Sequence, residues 1–395
     1  MLQLLNSHCC QATPRTCYYN GNRPSPRPTL SPPCIMYTSP CGSRIRIGPT
    51  YPPACRTRRL RGRFILVTVP STTEMPNLGG VVFIFWNGKK TTLSWLISFL
   101  SNRLQRVIIN GHFSSFTSVL SGVPQGTVLG PLLFLIFIND LPSYIFSSTI
   151  RLFADDCLIY KEIRSPNDSV ALQSDLNSLQ TWCDHWLLKF NVSKCSFISI
   201  TNKKKPLLFQ YTLSNSPLLR VSKFQYLGIT FDNKLSWSDH ISYICFKAKR
   251  TIYFLNRNLQ GASPDRKLQA YVTYVRPIIE YASCVWNPSS VDSTKLLDSV
   301  QRLAIRFIRN NFSRRYSFTL LSNGIDLDSL SFRRNLTDLT MVFKILRNEI
   351  FLSKDEFFSS FSSRKVTRGH NSKLFKPQCS VNSFRDSFSF RIIDP

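Results

Sequence analysis

Asp155 and Asp156 are adjacent carboxylates between two short apolar runs, Thr149–Phe153 and Cys157–Tyr160. The first run alternates as a half-buried strand and the second reads as its return. Neighbouring strand residues point to opposite faces, so two adjacent carboxylates converge only at the turn of such a hairpin. Converging carboxylates repel, and a divalent cation such as Mg²⁺ relieves that by bridging to substrate phosphates. An exposed Asp-rich turn has the same local sequence, and the pair alone does not separate the two readings.

Two other segments bear on chemistry. Ser121-Gly122-Val123-Pro124-Gln125-Gly126 precedes an apolar run that continues to Asn139-Asp140-Leu141-Pro142. A Gly-rich turn feeding a buried helix lets a ligand approach the backbone closely, although an ordinary loop before a core helix fits equally well. In Val300–Arg309, Val300, Leu303, Ala304, Phe307 and Ile308 form one helical face, while Arg302, Arg306 and Arg309 recur at i, i+4 and i+7. With no acid from Gln301 to Arg315, that stripe suits a helix tracking a phosphate backbone, against the plainer reading of a solvated face.

These residues need elements to hold them. Trp95, Leu96, Phe99 and Leu100 have helical spacing within Ser94–Leu104. Arg106–Asn110, ending at Gly111, and Phe113–Leu120 read as a hairpin. Upstream, Phe64–Val69 and Val81–Trp86 are possible short strands separated by Pro70, Pro76 and Gly79-Gly80. Residues 1–63 read as loop or disorder because clusters such as Pro24, Pro26, Pro28, Pro32 and Pro33 break helix and central strand alike. Periodic apolar patterns with mixed charge begin near Leu93, where the folded body is expected to start. No repeat of solenoid length is visible.

The 395 residues allow two to three folding units, and 43% hydrophobic residues with 13% aromatics can bury real cores. Fifty Lys and Arg against 22 Asp and Glu leave +28, which makes a polyanion the default partner. Residues 1–94 hold twelve of those cations against Glu74 alone, so residues 95–395 carry the remaining +17. Cys9, Cys10, Cys17, Cys34, Cys41 and Cys55 lack C-x-x-C spacing and paired His, which argues against a zinc module. The apolar opening Met1–Leu5 is too short for a signal peptide, so reduced thiols in the nucleus or cytoplasm, not secretion, are expected. Val128–Ile138 is interrupted by Gly130 and Pro131 and is too short to span a bilayer.

Taken in order and spacing, Ser121–Pro131, Asn139-Asp140-Leu141-Pro142 and Phe153-Ala154-Asp155-Asp156 resemble the reverse transcriptase family, most nearly the polymerases of jockey-like non-LTR retrotransposons. Leu176–Thr201, with Trp186, Asn191 and Lys194, resembles the family's motif D. Phe224–Ile229 resembles its primer-grip hairpin, and Tyr271–Arg315 its thumb helices. The resemblance implies an α+β fold, a partial polymerase palm of antiparallel sheet on helices, followed by a helical thumb-like region. The implied division is 1–92 unmatched, 93–245 palm, 246–350 thumb-like and 351–395 a Ser/Phe-rich C-terminal segment.

The resemblance further implies template-directed nucleotidyl transfer with two divalent ions, Mg²⁺ or Mn²⁺, held in part by Asp155 and Asp156. Gly122, Pro124, Gln125 and Gly126 would lie against template and incoming nucleotide, and Lys194 would serve the departing pyrophosphate. Tyr226, Leu227 and Gly228 would grip the primer, and Arg302, Arg306 and Arg309 would follow the backbone. Implied partners are an RNA template, a DNA primer and deoxynucleoside triphosphates, with no membrane and no small-molecule cofactor beyond metal. The family's first aspartate, in a Phe-Asp-x-x-Lys-Ala-Phe-Asp box before Trp95, has no counterpart; Glu74, without a strand-like flank, is the only acid there. A degenerate polymerase domain is therefore expected, with an inactive basic nucleic-acid-binding remnant as the alternative.

Overall fold

A computed structural model of the chain describes residues 63–70, 90–313, 315–358, 374–375, 378 and 385–393. Strand β1 (Arg63–Pro70) precedes helix α1 (Lys90–Leu100) and a nested hairpin of β2 (Arg103–Gln105), β3 (Ile108–Ile109), β4 (His112–Phe113) and β5 (Thr117–Val119). Helix α2 (Leu129–Ile138) leads to the hairpin of β6 (Thr149–Phe153) and β7 (Asp156–Ile163), then α3 (Pro166–His185) and β8 (Ser196–Ile200). Next come β9 (Thr212–Leu213), β10 (Ser216–Pro217), β11 (Leu219–Val221), β12 (Lys223–Tyr226) and β13 (Ile229–Asp232). The remainder is helical: α4 (Ser238–Asn258), α5 (Pro264–Ala270), α6 (Val291–Ile308) and α7 (Leu330–Leu346), with shorter turns between and after them. The fold is α+β, as the resemblance implied.

One sheet, in the order β11-β8-β1-β7-β6, organises these elements. β1 runs antiparallel to β7 from Arg63 opposite Ile163 to Pro70 opposite Asp156, and antiparallel to β8 from Phe64 opposite Ile200 to Thr68 opposite Ser196. The expected strand at Phe64–Val69 is therefore present, but starting the folded body at Leu93 set the boundary too late. An uninterrupted run, Phe64-Ile65-Leu66-Val67-Thr68-Val69, is the pattern of a strand paired on both edges and covered on both faces. Its basic, proline-rich surroundings hide that pattern in any average over 1–94. The stretch before Arg63, with its six cysteines, and Val81–Trp86 lie outside the described residues.

The pleat sorts side chains between two cores. Cys157, Ile159 and Phe197 face one, filled by Leu96 and Leu100 of α1, Leu133 and Phe137 of α2, and Leu172, Leu176, Leu179 and Trp182 of α3. Leu158 and Ile198 face the other, which holds Phe231, Ala248 and Ile252 with Val300, Ala304 and Phe307 of α6. The sheet is thus sandwiched, and the helical region is built onto its second face. No described helix is long and apolar enough to cross a membrane.

Polar bolts set how the pieces meet. Ser165 and Asp168 cap α3 reciprocally, with Pro166 in its first turn. The Ser165 N–H donates to Asp168 Oδ2 at 2.8 Å, and that bond is the first reason the Asp168 carboxyl lies below the usual carboxylate range. Asp140, in the Asn-Asp-Leu-Pro segment, accepts from Trp182 Nε1 at 2.9 Å and Trp186 Nε1 at 3.1 Å. Phe137 packs edge-on against both indoles. Asp140 is thus a structural acid that satisfies two buried donors. Replacing Asp140 by Ala removes the carboxylate acceptor from both N–H groups and should cost about 2–4 kcal/mol, with Asp140→Asn recovering part of it, read by urea unfolding.

Candidate active site

The β6–β7 hairpin is closed by two residues, because Phe153 pairs with Asp156. Ala154 takes a left-handed backbone (φ +50°), which costs a Cβ-bearing residue about 1 kcal/mol and is tolerated because both strands are fixed in the sheet. Asp155 stands exposed in the turn, and Asp156 opens β7 half-buried. The Asp156 carboxyl is raised above the usual range, first by burial and then by repulsion from Asp155. A nearby cation would relieve the second of these.

Register places other groups at this end of the sheet. The last residue of β1 faces Asp156, and β8 begins opposite Thr68, so the turn preceding β8 emerges beside the hairpin tip across β1. That turn is a 3₁₀ segment, Val192–Lys194, lying against β1, and Lys194 is exposed on it. The sequence thus leads Asp155, Asp156 and Lys194 to one end of the sheet through two different ladders.

The Ser121–Gly126 loop is held by a residue that motif spacing does not flag. Arg103, at the start of β2, donates to Leu100 O at 3.0 Å, Ser121 O at 2.9 Å and Gly122 O at 2.6 Å. One guanidinium fork thus ties helix, strand and loop. Gly122 and Gly126 adopt positive φ (+76° and +78°), which favours glycine there. Thr127 Oγ1 donates to Pro124 O at 2.7 Å and accepts from the Gly130 N–H, joining the loop to α2. Gln125 is left exposed and Pro124 half-buried. Val123 and Leu152 pack on the same core, so loop and hairpin share a foundation.

The expected primer-grip segment is the β12–β13 hairpin. Leu227 (φ +46°) and Gly228 (φ +78°) form its turn, the mirror-image geometry that matches strand twist. Tyr226 is buried, and Tyr281 Oη from the helical region donates to Leu227 O at 3.0 Å.

The three arginines of α6 have different partners. Arg306 Nη1 donates to Ser313 O at 2.5 Å, and Arg309 donates to Leu321 O at 3.1 Å and to Asn323 O. Both brace the chain after α6; Arg302 and Arg309 are exposed and Arg306 is half-buried. A second cationic face, not singled out by the sequence, lies on α4. Tyr243, Phe246, Lys247, Arg250, Tyr253, Phe254 and Arg257 are exposed there, with no acid from Ser242 to Asn258. Arg250 lies over the Phe246 ring, 5.8 Å from its centroid.

The two-metal arrangement implied by the resemblance needs more acid than the described residues bring to this site. No group of three or more His, Cys, Asp or Glu converges among the described residues, and Glu74 lies outside them. Asp155 and Asp156 alone do not fit the metal pair.

Because burial is the larger cause of the Asp156 shift, Asp155→Asn should lower the Asp156 pKa without returning it to the usual carboxylate value. A group whose folded pKa is raised loses stability as pH rises through its titration, so the same variant should be more stable than the parent at neutral pH. Carboxyl-carbon NMR titration checks the first outcome and urea unfolding the second.

Comparison with known proteins agrees with the geometry. Residues 85–231 match the family described as reverse transcriptase (RNA-dependent DNA polymerase). The RNA-directed DNA polymerase from the mobile element jockey of Drosophila melanogaster is 28% identical over 53% of this chain and 24% of its own length. The probable RNA-directed DNA polymerase from transposon BS, from the same organism, is 29% identical over 54% of this chain and 25% of its own. The Pol polyprotein from the type-1 retrotransposable element R2 of Popillia japonica is 25% identical over 55% of this chain and 37% of its own. The chain spans about a quarter of the length that the two Drosophila relatives possess. Residues 85–231 of this protein accordingly match the reverse transcriptase family, and the chain is similar to the polymerases of non-LTR retrotransposons over about half its length.

Proposed function

We propose that the chain is an RNA-directed DNA polymerase by descent that binds nucleic acid and, as written, catalyses little or no nucleotidyl transfer. The observation that carries this is the Asp155–Asp156 pair, set at a fixed hairpin tip without a third described acid. In this family Mg²⁺ or Mn²⁺ would supply charge neutralisation at the transferring phosphate. An RNA template, a DNA primer and deoxynucleoside triphosphates are the substrates that the reading implies.

The remaining residues then bind and position. The Gly122–Gly126 loop, fixed by Arg103, offers exposed Gln125 beside a backbone that a base can approach. Lys194 presents an ammonium at the carboxylate end of the sheet, suited to departing negative charge. The Tyr226-Leu227-Gly228 turn, tethered by Tyr281, offers a rigid support for primer. Arg302 and the α4 face offer cations to phosphates, and Phe246, Tyr253 and Phe254 offer rings on which bases stack. We also assign residues 93–245, together with β1, to the palm and 246–350 to the thumb, in a chain that works in the nucleus or cytoplasm.

Primer extension tests the reading. Purified protein with primed RNA, deoxynucleotides and Mg²⁺ or Mn²⁺ should give no product above an Asp155→Ala, Asp156→Ala control. Loss of a metal ligand should cost at least about 10²–10³ in rate, judged from single electrostatic donors elsewhere. Robust extension abolished by that double change would refute it.

The binding half has its own signature. Affinity for single-stranded RNA should fall by orders of magnitude between low and physiological salt. Phe254→Ala should weaken binding by about 1–3 kcal/mol with the salt slope unchanged, whereas Arg250→Gln should flatten the slope. Filter binding across a salt series distinguishes them, and an unchanged affinity in both variants would exclude the α4 face.

A further inference from the structure

We infer that the outer face of α7 is a contact surface for a second copy of this chain, paired through a heptad stripe. Phe332, Leu336, Leu339, Phe343 and Leu346 recur at intervals of four, three, four and three residues along α7. Each is between 40% and 58% exposed, and none belongs to either core. Alternation of four and three is the spacing of a coiled-coil seam, in which each side chain inserts between side chains of a facing helix. A helix that had only to lie on its own core would bury such a stripe.

Polar contacts on the inner side stop α7 from turning to hide these residues. Leu330, Arg334, Asp338, Met341, Val342 and Ile345 are buried there. Asp338 accepts from Arg391 Nε at 2.9 Å and from Asn287 Nδ2 at 3.0 Å, and Arg334 Nε donates to Asn287 Oδ1 at 2.8 Å. Arg333 forks onto Glu280 at 2.5 and 2.9 Å. Rotating the helix would break all of these and leave buried charges unpaired, which is strongly destabilising. The apolar stripe is therefore held outward.

Charge selects the occupant. The chain carries +28, so two copies repel one another over most approaches. From Asn335 to Phe343 the sole charged residue is Asp338, which is buried and held by Arg391, so the exposed face is neutral there. An acidic partner gains nothing from this stripe, whereas an identical neutral stripe meets it without like-charge cost. A two-fold axis makes the same five residues serve both sides of the contact. Five side chains about half exposed offer roughly 500 Å² per copy, hence about 1,000 Å² for the pair, the lower bound for a specific interface. Reversible pairing follows from an area at that bound.

Sedimentation equilibrium on the nuclease-treated full chain in about 0.5 M salt tests this, since screening weakens self-repulsion and phosphate contacts but spares apolar burial. The parent should dimerise with a Kd of about 10 µM. Leu339→Glu and Phe343→Glu should each weaken pairing roughly thirtyfold or more, with helical circular dichroism unchanged. Both changes lower the positive charge, so relief of general repulsion would shift association the opposite way. A parent still monomeric at about 100 µM, or a dimer indifferent to both substitutions, overturns the inference. Should a variant lose its helical signal, hydrogen exchange on the parent decides: protection within Leu330–Leu346 must rise with chain concentration. Protection independent of concentration means that another segment of the same chain covers the stripe, and it overturns the inference as well.

Discussion

The double ladder of β1 is the constraint on which the rest depends. A strand paired on both edges cannot slip by one residue without turning its whole apolar set to the wrong face. By pairing with β7 along eight residues and with β8 along five, β1 fixes those two strands relative to each other, although neither touches the other directly. Removing β1 would leave two open edges and two half-cores. Everything placed at the carboxylate end, including the Asp155–Asp156 turn and the turn that carries Lys194, inherits its position from that register.

The sandwiched sheet explains why catalytic-looking and structural residues are intermixed. Burying both faces leaves polar groups that must find partners inside. Asp140 answers Trp182 and Trp186, and Asp175 accepts from the Phe146 and Ser147 N–H groups. His240 accepts the Thr230 N–H on Nδ1, and burial pushes its pKa down to about 4, so the neutral ring is the native form. In the helical region Arg333 pairs with Glu280 at 2.5 Å, and Arg391 forks onto Asp338. The last of these ties the helix Phe388–Ile393 back to α7.

Cations divide in the same way. Arg103, Arg306 and Arg309 are spent on backbone carbonyls, where a guanidinium satisfies several acceptors that helix ends and loops leave open. The arginines of α4 and Arg302 keep their charge toward solvent. Net charge therefore overstates what is available to a polyanion, and the α4 face, with its interleaved rings, offers more than the α6 stripe.

By itself the sequence determined the hairpin carrying Asp155-Asp156, the glycine turn before α2 and the helical face in Val300–Arg309, and its motifs in order resembled the reverse transcriptase family. Each is a local pattern: alternation, helical period, or a turn residue whose backbone needs are fixed by its chemistry. The run Phe64–Val69 was legible as a strand, but not as the centre of the sheet, because strand pairing is a long-range choice that no local window contains. For the same reason Arg103 looks like any surface cation until the fold brings Ser121 O and Gly122 O to its fork. Arg306 and Arg309 share a helical stripe with Arg302 and differ only in what the chain after α6 sets beside them. Tertiary structure alone decided that Pro70 faces Asp156, since register, not composition, determines which residues meet across a sheet.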